Sequence, residues 1–222
     1  MSDLTLIIPA KNEKESLPKV LDELKNFNFK KNIILESSDK LTIEAVKNYN
    51  CKIIFQESKG YGDALKKGIE TVETEFFCIF NADGSFNPKE LDFMIGKLIN
   101  DKYDFVFASR YEKDCGSDDD TFITLIGNYI FTFLGKFFFK LEITDILYTF
   151  VVARTSCAKK LELKSKDFSF CVELPIKAKR ANLKIGTSKS HERARIAGKK
   201  KVNAFKDGLK ILFSMIKLFF RY

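Results

Sequence analysis

Short β-rich runs alternate with helix-periodic segments through the first half of the chain, and this alternation most constrains what the chain can become. The runs are LTLII (4–8), NIILE (32–36), CKIIF (51–55), FFCIF (76–80) and DFVFA (104–108). Their branched and aromatic residues suit a pleated, half-buried surface. Between them, ESLPKVLDELKNF places Leu17, Val20, Leu21 and Leu24 on one face. DALKKGIETV does the same with Ala64, Leu65, Gly68, Ile69 and Val72. In NPKELDFMIGKLI, Asn87 stands as a helix cap and Pro88 at the first helical position, with Leu91, Met94, Ile95 and Leu98 facing inward. Strands joined by helices predict an α/β fold with a mostly parallel central sheet flanked by helices. Ligands on such sheets gather at the carboxyl ends of the strands. PAKNE, ESSD, QESKGYG and NADGS each follow a strand directly, so they are expected to converge on one crevice.

The second half is less regular. YEKDCGSDDD reads as an acidic loop and TFITLIGNYIFTFLGKFFFKL (121–141) as a strongly aromatic helix. DILYTFVVA reads as a strand, SFCVELPIKAKRAN as a helix with Pro175 near its start, and LKIGTSKS as a further strand. HERARIAGKKKVN is a basic loop and AFKDGLKILFSMIKLFFRY a terminal helix. The longest uncharged stretch, 121–135, is shorter than the ~20 apolar residues of a spanning helix and is interrupted by Asn128. The start, MSDLTLIIPAKNE, enters a strand at once, without the basic and apolar regions of a signal peptide. The expectation is therefore a chain with no signal peptide and no transmembrane helix.

Composition narrows the chemistry. One histidine, His191, excludes a multi-histidine metal site, and the five cysteines show no C-x-x-C spacing. The thiols are expected to be free, in a reducing compartment. Any metal must be held by oxygen, which points to magnesium or manganese. The net charge of +8 favours anionic partners, although a solvated lysine-rich surface fits it equally. No recognised nucleic-acid motif accompanies the basic residues, so no nucleic-acid partner is expected.

Taken in order, LIIPAKNE, SKGYGDALKKGI, NADGSFNP, ASRY, TDILYTF and HERARIAGKKKVN resemble the family 2 glycosyltransferases, and more narrowly their dolichyl- or polyprenyl-phosphate sugar transferase branch. The resemblance runs from residue 5 to about residue 210. It implies a single GT-A type, Rossmann-like domain over 1–204, with a nucleotide-sugar half (1–110) and an acceptor half (111–204), followed by an amphipathic helix over 205–222. It also implies a nucleoside-diphosphate sugar donor, UDP- or GDP-linked, a divalent cation, Mg or Mn, and inversion at the anomeric carbon.

The resemblance places Pro9, Ala10, Asn12 and Glu13 beside the nucleotide. Glu36 and Ser37 stand where the family carries an aspartate pair that reads base and ribose. Lys59, Gly60 and Gly62 form a glycine-bearing turn suited to a phosphate. Ala82 lies in the same nucleotide-binding stretch as Asp83. Asp83 matches the second aspartate of the family's D-x-D metal motif, Asn81 replaces the first, and Ser85 supplies a third oxygen. A site weakened by one charge, yet working, is the expectation; a plain turn cap at Asp83 is the alternative. Arg110 ends the fifth strand and is placed to clamp an anionic acceptor or the leaving phosphates. Asp145 matches an acidic position of the sugar pocket, while Tyr148-Thr149 replace the family's usual Ser-Gly. Glu173 matches an acidic helix position near the acceptor and is the candidate general base for a hydroxyl acceptor. Either carboxylate fits a cap or ion pair equally well.

Arg193, Arg195, Lys199, Lys200 and Lys201 make a basic loop for the donor or lipid phosphates. In the terminal helix, Val202, Phe205, Leu209, Leu212, Ile216 and Phe219 recur by three and four, with more apolar surface than one stripe needs. With FFFK (137–140) this suggests a surface lying on an anionic membrane; core packing is the alternative. The leading expectation is an inverting, metal-dependent hexosyltransferase acting on a polyprenyl phosphate or other lipid-linked acceptor, peripheral at the cytoplasmic face of the membrane. Transfer to a sugar hydroxyl of a surface glycan, or a pseudo-transferase that only binds nucleotide or membrane, are the alternatives.

Overall fold

The structure is a computed structural model describing residues 3–198 and 200–220. Strand β1 (Leu4–Pro9) leads through α1 (Leu17–Glu23) and a short 3-10 turn to β2 (Lys30–Leu35). Helix α2 (Lys40–Val46), β3 (Lys52–Phe55), α3 (Tyr61–Thr71) and β4 (Phe76–Ile79) follow, then α4 (Leu91–Asn100) and β5 (Phe105–Ser109). After β6 (Gly116–Ser117) come α5 (Phe122–Phe139), β7 (Val151–Arg154), α6 (Thr155–Lys159) and α7 (Phe170–Arg180). The chain closes with β8 (Ile185–Lys189), β9 (His191–Glu192) and α8 (Ala204–Phe220).

Seven strands form one sheet in the order β3-β2-β1-β4-β7-β5-β8, and β6 pairs separately with β9. Only β7 runs against its neighbours, with Val152 opposite both Cys78 and Val106. The mostly parallel α/β expectation therefore holds.

Side chains alternate between the two faces of the sheet, as the pleat requires. Leu6, Ile8, Ile33, Cys78 and Val106 join one core with α1, α2 and α4. Ile7, Ile34, Phe77, Ile79 and Phe107 join the other with α3, α6, α7 and α8. The inward residues named for the first three helical segments are all buried. Asn87 caps as expected, accepting from Lys89 N at 3.1 Å.

Four local expectations need correction. Helix α2 went unrecognised, although Asp39 caps it by accepting from Thr42 N. The stretch 145–150 is irregular and only 151–154 is strand, because Asp145 is drawn into a buried ionic cluster. Pro175 lies inside α7, not near its start. Helix α5 is 18 residues long with mean hydropathy 1.5, which by length and composition is enough to cross a membrane. Asn128, Thr132 and Gly135 on this helix are nevertheless buried against the protein.

Candidate functional site

The loops after β1 and β2 meet directly, and the segment after β9 links them to the loop after β4. Asn12, in the left-handed region at φ 54°, donates its backbone N–H to Asp39 Oδ2 at 2.7 Å. Lys11 reaches Glu36 at 3.2 Å, and Ser37 is exposed beside it. Pro9 ends β1, and Ala10 continues its pairing by donating to Ile34 O. Glu13 is buried, with Ser16 Oγ donating to its Oε2 at 2.5 Å and Lys201 paired with its Oε1.

At the β4 loop, Ser85 N and Oγ donate to Asp83 Oδ1 at 3.0 and 2.7 Å. Asn81 Nδ2 donates to Ser85 Oγ at 3.3 Å, and Ala82 between them is buried. The three oxygen-bearing side chains thus form one hydrogen-bonded group. The segment after β9 runs along this loop: Arg193 N donates to Ser85 O at 2.9 Å and Ile196 N to Asp83 O at 2.8 Å. Gly84, at φ 83°, has no room for a Cβ, which would lie 2.4 Å from Ile196 Cδ1. Above the carboxylate, Arg195 Nη1 lies 3.8 Å from Asp83 Oδ2.

The glycine turn differs from its expected role. A Cβ on Gly60 would fall 2.0 Å from Lys166 O, and one on Gly62 2.6 Å from Ser165 O. These glycines admit the 165–167 backbone, so their lack of a side chain serves chain packing. Asp63 N donates to Lys166 O, and Lys59 is exposed at the edge of the turn.

Arg110 is also corrected. It is buried, with Nε and Nη2 gripping Asp145 at 2.7 and 3.0 Å and Nη1 donating to Glu192 at 2.8 Å. Asp120 lies 3.5 Å away, and the Tyr148 ring stacks on the guanidinium at 4.5 Å. Burial works against the Arg110 charge, but Asp145 and Glu192 outweigh it and hold its pKa well above the ordinary value. Asp145 also accepts from Asn128 and from Arg110 N. Three carboxylates around one cation offset its attraction for an incoming phosphate; the Asp145 side chain is fully buried and only 8% of the Arg110 side chain is exposed. The Arg110 cluster floors a cleft of about 550 Å³ whose outer wall is Phe122, Leu125 and Tyr129 of α5.

Glu173 is likewise engaged. Lys164 N donates to both its oxygens at 2.9 and 3.0 Å, Ser165 N to Oε2 at 2.7 Å, and Lys177 pairs with it at 2.8 Å. Burial raises its pKa, but Lys177 and the two backbone N–H groups outweigh this and hold it below the ordinary range. A low-pKa carboxylate saturated with donors is a poor general base. It pins the turn that covers Gly60 and Gly62.

The basic segment is dispersed among acidic partners. Arg193 meets Glu23 at 2.9 Å and Phe86 O at 2.7 Å, away from Asp83. Arg195 forks onto Asp119 at 3.1 and 2.7 Å, and Lys200 reaches the same carboxylate at 3.2 Å. Lys199 lies outside the described residues. Asp39, Asp119 and the position of Arg195 over Asp83 were missed from the sequence. A cap signal before LTIEAV marked Asp39, but nothing local separates Asp119 from its acidic neighbours.

The sequence profile described as Glycosyl transferase family 2 matches residues 5–162. The UDP-N-acetylglucosamine–dolichyl-phosphate N-acetylglucosaminyltransferase of Methanococcus voltae is 28% identical over 206 residues, covering 82% of this chain and 82% of that protein. The dolichyl-phosphate hexose transferase of Haloferax volcanii is 24% identical over 222 residues, covering 97% and 93%. Glucosyl-3-phosphoglycerate synthase from Mycobacterium tuberculosis, solved with Mn2+, UDP and glucosyl-3-phosphoglycerate, has a TM-score of 0.78 at 12% identity, over 97% of this chain and 79% of that one. Its complex with Mn2+ and UDP-glucose also gives a TM-score of 0.78, at 13% identity, over 97% and 78%. At that identity the likeness is one of fold, and the fold is GT-A.

Proposed function

The chain belongs to glycosyltransferase family 2, and on that premise we propose that it transfers a hexose from a UDP- or GDP-linked sugar to a polyprenyl or dolichyl phosphate, with inversion. The observation that carries the reading is the Asp83 group. One carboxylate oxygen is fixed by Ser85, and the other faces Arg195 of the 193–201 segment, beyond the carboxyl end of β4. Two relatives named for dolichyl-phosphate transfer, and a fold neighbour solved with manganese and UDP, support it.

The donor set fits a hard divalent cation. Asp83, Asn81 and Ser85 offer a carboxylate, an amide oxygen and a hydroxyl. Among the described residues no group of three or more His, Cys, Asp or Glu is placed to hold a metal by itself, so the donor diphosphate must complete the set. Bound there, a magnesium or manganese ion supplies charge to the departing diphosphate. Glu36 accepts hydrogen bonds from the nucleoside, and Glu13, buried and paired, holds Lys201 beside it. Arg195, Lys200 and Lys201 meet phosphate oxygens. An acceptor phosphate oxygen forms the new bond at the anomeric carbon as the bond to the nucleoside diphosphate breaks. That oxygen is already nucleophilic and needs no base, which agrees with the saturation of Glu173 and disfavours a hydroxyl acceptor.

The same reading places the protein on an anionic membrane at its cytoplasmic face. Helices α5 and α8 pack together through Phe138, Phe139 and Phe219. They expose Phe122, Ile126, Phe133 and Phe137 on one helix and Phe205, Leu209, Phe213 and Phe220 on the other. Exposed Lys136, Lys206, Lys210 and Lys217 lie on the same two helices, and Lys140 ends the first of them, the composition of an interfacial surface. The link from Asn128 to Asp145 holds α5 against the protein, so it lies on the bilayer and does not cross it.

The test is incubation with labelled UDP- and GDP-sugars, Mn2+ and dolichyl phosphate, followed by organic extraction. Label in the lipid phase is the expected result. Transfer only to glycan hydroxyls, or nucleotide binding without turnover, refutes it.

A further inference from the structure

The segment 193–201 lies along the Asp83 loop, and its cations are held by carboxylates from distant parts of the chain: Glu23, Glu13, Asp83 and Asp119. Among the carboxylates that hold this segment, Asp119 alone takes two of its described cations, Arg195 and Lys200. It is also firmly mounted. Its own N–H donates to Ser117 Oγ at 3.2 Å, and Asp118 N donates to Glu192 O at 2.8 Å. Gly116 and Ser117 pair with His191 and Glu192, the residues from which the basic segment departs. The catch and the root of the segment are therefore two sides of one small sheet.

The direction of the Arg195 fork follows from this. Nε and Nη2 go to Asp119, which leaves Nη1 facing Asp83 Oδ2 at 3.8 Å, beyond hydrogen-bond length. Without Asp119, the strongest anion left to Arg195 is Asp83 itself, and a bidentate pair there would take the one carboxylate available to a cation. With Asp119 present, the guanidinium is held above the loop and Asp83 keeps an open oxygen. Only one-fifth of the Arg195 side chain is exposed, so the pair is shielded enough to hold its geometry. We propose that Asp119 is a positioning residue for the transfer reaction: it holds Arg195 and Lys200 over the Asp83 loop, where they meet the donor diphosphate. This rests on the reading of the site as a nucleoside-diphosphate-sugar site.

The test uses the full chain and Asp119→Asn, Asp119→Glu, Arg195→Gln and the Asp119→Asn/Arg195→Gln pair. Calorimetric titration with UDP and GDP, without and with Mn2+, reads affinity. Trypsin cleavage within 193–201, without ligand, reads whether the segment is held. Asp119→Asn should weaken metal-free nucleotide binding about tenfold, the size of one charge-assisted pair. It should also speed cleavage severalfold, and leave the melting temperature within about 2 °C. Asp119→Glu should restore most of the affinity, and the double variant should bind no more weakly than Arg195→Gln alone. Wild-type affinity and cleavage in Asp119→Asn, or additive losses in the double variant, overturn the proposal. Wild-type protein that binds neither nucleotide refutes the transferase reading instead. The cleavage rate then decides whether Asp119 holds the segment, and an unchanged rate overturns that.

Discussion

Replacing Glu173 with glutamine separates a structural carboxylate from a catalytic one. In the wild type, Lys164 N and Ser165 N both point at the carboxylate, at 2.7 to 3.0 Å, and Lys177 lies 2.8 Å away. The residue is only 3% exposed, so water does not replace a lost partner. Glutamine can keep an acceptor at the Oε2 position, which both N–H groups reach, but its NH2 then faces Lys164 N and the Lys177 ammonium. A buried NH2 group is left without an acceptor against these donors, which costs about 1–3 kcal/mol. Lys177 loses its anion but keeps Glu162 O at 2.6 Å, a further loss of ~0.5–1 kcal/mol. The expected total is about 3 kcal/mol, or a fall of roughly 6–12 °C in melting temperature for a chain of this size. The rate of transfer to lipid phosphate by the folded protein should change by less than about threefold, since a group acting as general base contributes at least ~100-fold. The pH dependence has a definite sign. Because the folded-state pKa lies below the ordinary value of 4.5, wild type holds its advantage over Glu173→Gln above that value. It loses that advantage as pH falls through the folded-state pKa. Urea melts at pH 7 and through the acid range, with transfer rates at pH 7, read all of this. Unchanged stability together with a rate loss of ~100-fold or more would refute the argument and return Glu173 to catalysis.

Arg110→Met should cost about 3–5 kcal/mol in urea melts, because Asp145 and Glu192 are left buried without their cation; a stable variant with selectively lost transfer would restore Arg110 as a substrate clamp. Asp83→Asn should fold normally and lose activity by orders of magnitude, whereas unchanged manganese-dependent donor binding would make the loop structural. Asn81→Asp adds a second carboxylate and should tighten manganese binding in a titration with donor analogue. Leu209→Glu with Phe213→Glu should release the protein from anionic vesicles in cosedimentation without unfolding it, since Ile211 and Met215 are the buried residues of that face pair; continued pelleting would count against the interfacial reading.

The terminal helix shows why some alternatives stayed open in the sequence. Core packing describes one side of this element, where Ile211 and Met215 enter the second core; Leu209 and Phe213 stay exposed and are the basis of the interfacial proposal. Periodicity identified an apolar helix, but the width of its protein contact depends on α5 and α7, which come from elsewhere in the chain. Deleting 205–222 would uncover part of a core, so surface substitutions test membrane binding more cleanly.

Sequence alone was enough to read the five first-half strands, the inward faces of α1, α3 and α4 and the Asn87 cap, because these follow from backbone repeats of two and 3.6 residues and from groups a few positions apart. It also determined the oxygen-bearing trio of Asn81, Asp83 and Ser85, which one turn brings together. Tertiary structure alone decided the fate of each isolated charge. Arg110 and Asp145 look equally available in a sequence, yet burial obliges them to neutralise one another. Gly60 and Gly62 resemble an anion cradle in sequence, and the fold also packs residues 165–167 against them. Asp119 and Arg195, 76 positions apart, meet because β6 pairs with β9. Coulomb and desolvation energies act through space, so which carboxylate a cation meets is settled by topology and not by its neighbours along the chain.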